Sequence, residues 1–227
     1  MQNNVKLDLH WIDADNFELS SLDEIDGVIV PGGFGYRGIE GKISAIQYIR
    51  ENKIPFLGIC LGLQCAVIEF ARNVCGISDA NSSEFSQNIK NYVIDLLPNQ
   101  DLDKDDVGAS MRLGTYPCKI NPDTIASNVY GEEVIYERHR HRYEVNNKYR
   151  DILIENGLTI GGVSPDNNLV EMIEIQDHPY FVASQFHPEF KSRPWEPAPL
   201  FYEFISASLK TKSSESNNIV TETIKKK

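Results

Sequence analysis

Cys60 stands at the centre of Gly58-Ile59-Cys60-Leu61-Gly62, with an apolar run before it and a helical repeat after it. A thiol placed where a buried strand gives way to a helix has the form of a nucleophile elbow. The tight turn lifts the side chain clear of the sheet, and glycines two residues to either side leave room where strand and helix crowd together. Free N–H groups at the helix N-terminus favour a thiolate and can hold an oxyanion. The motif is short, and a structural cysteine beside a glycine-rich turn also fits it. A nucleophilic thiolate needs a histidine, and that histidine needs an orienting group. Of five histidines, His187 lies in "SQFHPEF", where Pro188 keeps the chain extended. Residues i and i+2 of extended chain project to one side, so His187 and Glu189 point together. "PGGFG" follows a short apolar strand, and its Gly33 N–H is a candidate oxyanion donor beside that of Leu61. A phosphate-binding loop is the rival reading, but no Gly-Lys-Ser/Thr follows and the G-x-G-x-x-G spacing is absent. The constellation suits acyl transfer through a thioester.

The elements that must position these groups show as periodicities. Val5, Leu7, Leu9 and Trp11 alternate with polar residues and predict a half-buried strand. "GVIV" (27–30) and "FLGI" (56–59) predict short buried strands. Ile39, Ile43, Ile46 and Ile49 recur at helical spacing, as do Leu63, Ala66, Val67, Phe70, Ala71 and Val74, with Gly76 placed to end the second helix. Strand, helix, strand, helix reads as parallel βαβ units. "TYPCKI", "LVEMIEI" and "YFVASQF" predict strands with few helices between them, an antiparallel extension. "PLFYEFISASLK" predicts the last helix. Residues 98–109, "PNQDLDKDDVGA", read as a surface loop, and 211–227, rich in Ser, Asn, Thr and Lys, as a disordered tail after a domain spanning 1–210.

Composition bounds the chemistry. The 227 residues suffice for one large α/β domain. A net charge of −11 repels phosphate backbones, so nucleic acid is not the expected partner. No long apolar run or signal-peptide pattern occurs, and the four cysteines show no C-x-x-C spacing, so a cytoplasmic, reducing setting and no membrane are expected.

Cys60 in "GICLGLQ", His187 and Glu189 in "FHPEF", and "PGGFG" together resemble the class I glutamine amidotransferase domain. "DANSSEF" (79–85) and "MRLG…ERHRHRYEVN" narrow the resemblance to the CTP synthase family, and it extends from Val5 to Leu209. It implies an α/β fold with a central, mostly parallel sheet flanked by helices, and a Cys60-His187-Glu189 triad. It also implies glutamine contacts at Gly33, Leu61, Gly62, Leu63, Gln64, Glu84 and Arg142. Glu84 can pair the substrate ammonium, Arg142 its carboxylate, and Gln64 polar groups. On the residues alone, Glu84 is a loop carboxylate and Arg142 one member of a solvated basic run.

By the same resemblance, glutamine hydrolysis needs no cofactor or metal. The released ammonia goes to a larger amidoligase domain that uses ATP and Mg²⁺ to aminate UTP, with GTP as activator, in a homo-tetramer. The family's sheet begins with one more strand and helix than are seen here, so the chain is expected to be a fragment. The loop Gly32 to Gly38 is the expected coupling element to the amidoligase. A γ-glutamyl hydrolase and a non-catalytic amidotransferase-like module are the alternatives; "ERHRHRYEVN" disfavours the first and the intact Cys60, His187 and Glu189 the second.

Overall fold

The computed structural model describes residues 3–96 and 111–225, with side chains as far as residue 212. The loop expected at 98–109 lies outside the described residues. The central sheet has seven strands in the order β1 (Val28–Val30), β2 (Phe56–Ile59), β10 (Phe181–Ser184), β9 (Val170–Glu174), β8 (Thr159–Val163), β5 (Arg112–Ile120) and β6 (Val134–His141). Pairs β1–β2 and β2–β10 are parallel, and every pair from β10–β9 outward is antiparallel. The α/β class is as expected, but the parallel part is confined to three strands and the antiparallel extension is the larger share. A second sheet joins β3 (Asn81–Ser82), β4 (Tyr92–Leu96) and β7 (Tyr143–Val145).

Helices α1 (Ile39–Glu51), α2 (Leu61–Asn73) and α4 (Arg150–Glu155) contribute to one apolar cluster, and α3 (Ile125–Tyr130) and α5 (Pro199–Lys225) to another. Each cluster includes side chains of the sheet: Phe56, Phe181 and Ala183 in the first, Leu57, Ile59 and Val182 in the second. Successive strand residues alternate between the two, as a sheet covered on both faces requires. α2 is buried from Leu61 to Ala71 because it packs against α1 and against strands of both sheets. Its one carboxylate there, Glu69, is matched by Arg50 of α1, whose Nη2 lies 2.7 Å from Glu69 Oε1. A buried charge is tolerated only with such a partner.

Two expectations differ from the structure. Residues 5–13 form no strand, and Leu9 and Trp11 are exposed. Alternation marks a chain that can present an apolar face, but β1 pairs only with β2, so the segment joins no ladder. The polar segment after Thr211, expected to be disordered, continues α5 to Lys225. It contains no glycine or proline to end a helix that packing has already nucleated.

The glycines flanking Cys60 are sites of backbone contact. A methyl group added at Gly62 would lie 2.2 Å from the Val30 carbonyl oxygen, and one at Gly58 2.9 Å from the Gly62 carbonyl carbon. Gly62→Ala is therefore expected to lower stability by about 1–3 kcal/mol or more, because backbone lies on both sides of the contact. The urea midpoint, at unchanged slope, checks this.

Candidate active site

The thiol and its base come from adjacent parallel strands. β2 ends at Ile59, which pairs with Ser184 at the end of β10. The Cys60 N–H donates to the Ser184 carbonyl at 2.7 Å. Cys60 adopts φ 52°, ψ −99°, a conformation costly for any residue with a side chain, held here by strand and helix on either side. Leu61, Gly62 and Leu63 then open α2, whose first N–H groups have no carbonyl one turn earlier to bond.

Three residues beyond β10, the His187 N–H donates to the Arg138 carbonyl at 2.8 Å. His187 Nδ1 lies 2.6 Å from Glu189 Oε1, and the Phe190 ring stacks on the imidazole at 5.0 Å. Burial alone would lower the His187 pKa. The Cys60 sulfur and the Glu189 carboxylate outweigh it and raise the pKa to about 9. The buried Nε2 makes no hydrogen bond at this geometry, and the sulfur is the group that influences the ring from that side. The arrangement places the Cys60 sulfur and the Glu189 carboxylate against one His187 imidazolium. Its contribution to stability is present below about pH 6.5 and is lost as pH rises through about 9, because the folded state holds this proton more tightly than the unfolded chain.

Gly32 presses on this pair: a methyl group there would lie 2.8 Å from His187 Cε1 and 3.7 Å from Cys60 Cβ. A methyl group at Gly33 would lie 2.9 Å from Leu61 Cδ2, so the two proposed oxyanion donors belong to neighbouring residues. Glu84 accepts a hydrogen bond from the Gly35 N–H at 2.8 Å, which ties the glycine loop to the turn after β3. Burial raises the Glu84 pKa, opposed by the Gly35 N–H and by the charge of Arg142. Glu84 and Arg142 are thus brought together. The Leu63 side chain lies fully in the core and offers the site only its backbone. Gln64 is buried and its Nε2 is engaged by the Tyr143 carbonyl and by Gln185.

Gln185 was not among the expected residues, yet its Nε2 lies 3.6 Å from Cys60 Sγ. Residues 188–190, expected to be extended, form a 3-10 turn (Pro188–Phe190), because proline suits the first position of a helix; this turn, and not a two-residue repeat, brings Glu189 to His187. The other cysteines are poor rivals for Cys60. Burial pushes the Cys65 thiol up to about 12 and also raises Cys118 and Cys75.

A strained cysteine on a strand-to-helix elbow, faced by a His-x-Glu pair that follows the next strand, is an arrangement suited to cysteine hydrolase chemistry on an α/β sheet. The model of the family "Glutamine amidotransferase class-I" matches residues 1–207, and the chain belongs to that family. It is 60% identical over 213 residues to the CTP synthase of Carboxydothermus hydrogenoformans and 60% identical over 210 residues to that of Caldanaerobacter subterraneus subsp. tengcongensis. These matches cover 92% and 91% of this chain but 40% and 39% of the relatives, so the chain spans about two fifths of their length. Among solved structures it is similar to the Trypanosoma brucei CTPS glutaminase domain with bound acivicin. That match has a TM-score of 0.85 and 40% identity, over 92% of this chain and 83% of that one.

Proposed function

We propose that this chain hydrolyses L-glutamine to glutamate and ammonia through a thioester on Cys60. The observation that carries the reading is the Cys60 elbow faced by a His187 imidazole that Glu189 holds at 2.6 Å. The thiolate attacks the side-chain amide carbon. The Gly33 and Leu61 N–H groups receive the oxyanion, and the His187 imidazolium gives its proton to the departing ammonia. Water, giving a proton to His187, then cleaves the thioester. Glu84 takes the substrate ammonium and Arg142 its carboxylate, while Gly62, Leu63 and Gln64 line the elbow side. An ammonia-release assay tests this together with an electrophilic glutamine analogue. Labelling on Cys65, Cys75 or Cys118 that spares Cys60 would overturn it.

Arg142→Ala is expected to raise KM for glutamine about tenfold or more with a smaller loss of kcat, since Arg142 grips the unreacting end of the substrate. An unchanged KM removes Arg142 from the binding site.

In the longer protein, on this reading, the ammonia aminates UTP to CTP in an ATP-dependent amidoligase domain. The CTP synthase relatives, 60% identical across this part, support it. Among the described residues no group of three His, Cys, Asp or Glu side chains is placed to hold a metal ion, and ATP and Mg²⁺ are assigned to the portion beyond this chain. The loop from Gly32 to Gly38 faces that portion and its activator, GTP. Phe34 and Tyr36 on it are 92% and 77% exposed, and the loop carries the Gly33 N–H. Comparing the glutaminase rate of the longer protein with and without GTP checks this. No helix among the described residues is long and apolar enough to cross a membrane. The four free cysteines suit a cytosolic enzyme, which we assign to a homo-tetramer in the longer form.

A further inference from the structure

Behind Cys60 runs a chain of buried side-chain amides. Gln64 Nε2 on α2 lies 2.9 Å from the Tyr143 carbonyl oxygen and 3.3 Å from Gln185 Oε1. Gln185 is fully buried, and its backbone N–H donates to the Glu171 carbonyl at 2.8 Å. Its own Nε2 lies 3.6 Å from Cys60 Sγ.

Which end of each amide carries hydrogen follows from the chain's anchor. The Tyr143 carbonyl can only accept, so the end of Gln64 facing it is the NH₂ group. That NH₂ faces Gln185, which must meet it with oxygen. The Gln185 NH₂ is then left for the sulfur. Turning either amide over would set two acceptors, or two donors, face to face among buried groups. The direction of the whole chain is therefore fixed, and it ends in a donor.

The sulfur's two protonation states use different neighbours. A thiol can donate to the Arg140 carbonyl oxygen, 3.9 Å away. A thiolate has nothing to give that carbonyl and is held only by donors and positive charge. We propose that Gln185 is a further catalytic residue whose side-chain N–H holds the Cys60 thiolate, with Gln64 and the Tyr143 carbonyl fixing the amide so that it presents hydrogen and not oxygen to the sulfur. The inference rests on the reading of Cys60 as the nucleophile.

This divides labour within one short segment. Gln185 and His187 follow the end of β10 and Glu189 lies in the 3-10 turn Pro188–Phe190, and they supply amide, imidazole and carboxylate. His187 moves a proton in each half-reaction and so changes its charge. Gln185 does not titrate, and it supports the sulfur in both states of the imidazole. The titratable group coupled to the sulfur is His187; Glu189 and, on β6, His139 and His141 are in turn coupled to His187, and the two β6 histidines are held neutral by burial and by Arg112. None of these can replace an unchanging donor.

The test is the rate at which iodoacetamide alkylates Cys60 at pH 7, with the labelled residue located by mass spectrometry. It is measured in wild type, Gln185→Met and Gln64→Met, beside glutamine turnover. Methionine keeps nearly the length and volume of glutamine but removes its polar end. Gln185→Met is expected to lower both the alkylation rate and kcat about tenfold or more, with KM changed less, since a hydrogen bond to a charged group is lost. Gln64→Met is expected to give a smaller loss in the same direction, because Gln185 remains but can turn over. Wild-type alkylation and turnover in Gln185→Met overturn the proposal. If that variant does not fold, a wild-type alkylation rate in Gln64→Met overturns it instead. Wild-type labelling on a cysteine other than Cys60 overturns the nucleophile assignment, a different result from labelling on Cys60 at an unchanged rate.

Discussion

Cys60→Ser is expected to reduce glutamine hydrolysis by at least about 10³-fold while the protein melts at close to the wild-type temperature. The hydroxyl is nearly the size of the thiol, and the elbow is shaped by Gly58, Gly62 and the Ser184 carbonyl and not by the sulfur. Its chemistry is far weaker. The hydroxyl stays protonated where the thiol gives a thiolate, so the ion pair with His187 disappears. A second consequence follows: the Cys60 sulfur leads the influences that raise the His187 pKa, so that pKa should fall in the variant. A His187 titration by NMR unchanged from wild type would show that sulfur and imidazole are not paired. Turnover near the wild-type level would remove Cys60 as the nucleophile.

Glu189→Gln is expected to lower kcat by roughly 10²-fold with a smaller change in KM. The amide oxygen can still accept the Nδ1–H, so orientation is largely kept and the loss reports charge. In the wild-type protein the imidazolium is held up to about pH 9, so kcat/KM should decline on the alkaline side with a midpoint near that value. Glu189 is the second of the two partners that raise this pKa. Its neutralisation should move the alkaline limb to lower pH, toward the ordinary histidine range. A variant with unchanged kcat, or with its alkaline limb in place, would reduce Glu189 to a surface carboxylate beside a turn.

The parts of the site that the sequence displays are those made by neighbours along the chain. Gly58 to Gly62 carries the elbow because its crowding is local, and the glycine positions correspond to contacts of 2.2 to 2.9 Å in the folded protein. His187 and Glu189 meet because they are two positions apart, although by way of the 3-10 turn Pro188–Phe190 and not along the extended chain that the sequence suggested. What the sequence conceals is made by contacts across the fold. Gln64 reads as a helix residue near the thiol, but its partners are Tyr143 and Gln185, each more than 75 residues away. The second sheet was missed because β3 is two residues long and β7 three, too short for any periodicity. The alternation from Val5 to Trp11 misled for the opposite reason, since a pattern shows which face is apolar and not whether anything lies against it. Resemblance linked Glu84 and Arg142 to one ligand, and the fold brings them into each other's electrostatic range.

The position of β10 has a consequence in time. This strand lies between β2 and β9, and it leads directly to Gln185 and His187. Cys60 and Gln185 are separated by 125 positions, so at about 5–20 residues per second the ribosome exposes the thiol on the order of ten seconds before its partners exist. Until β10 fills the slot beside β2, the Cys60 N–H lacks the Ser184 carbonyl and the sulfur lacks both its amide and its base. The closing of the sheet and the arming of the thiol are one event. A nascent or truncated chain therefore carries an ordinary cysteine, and the cell's glutamine is safe from it until the last central strand is home.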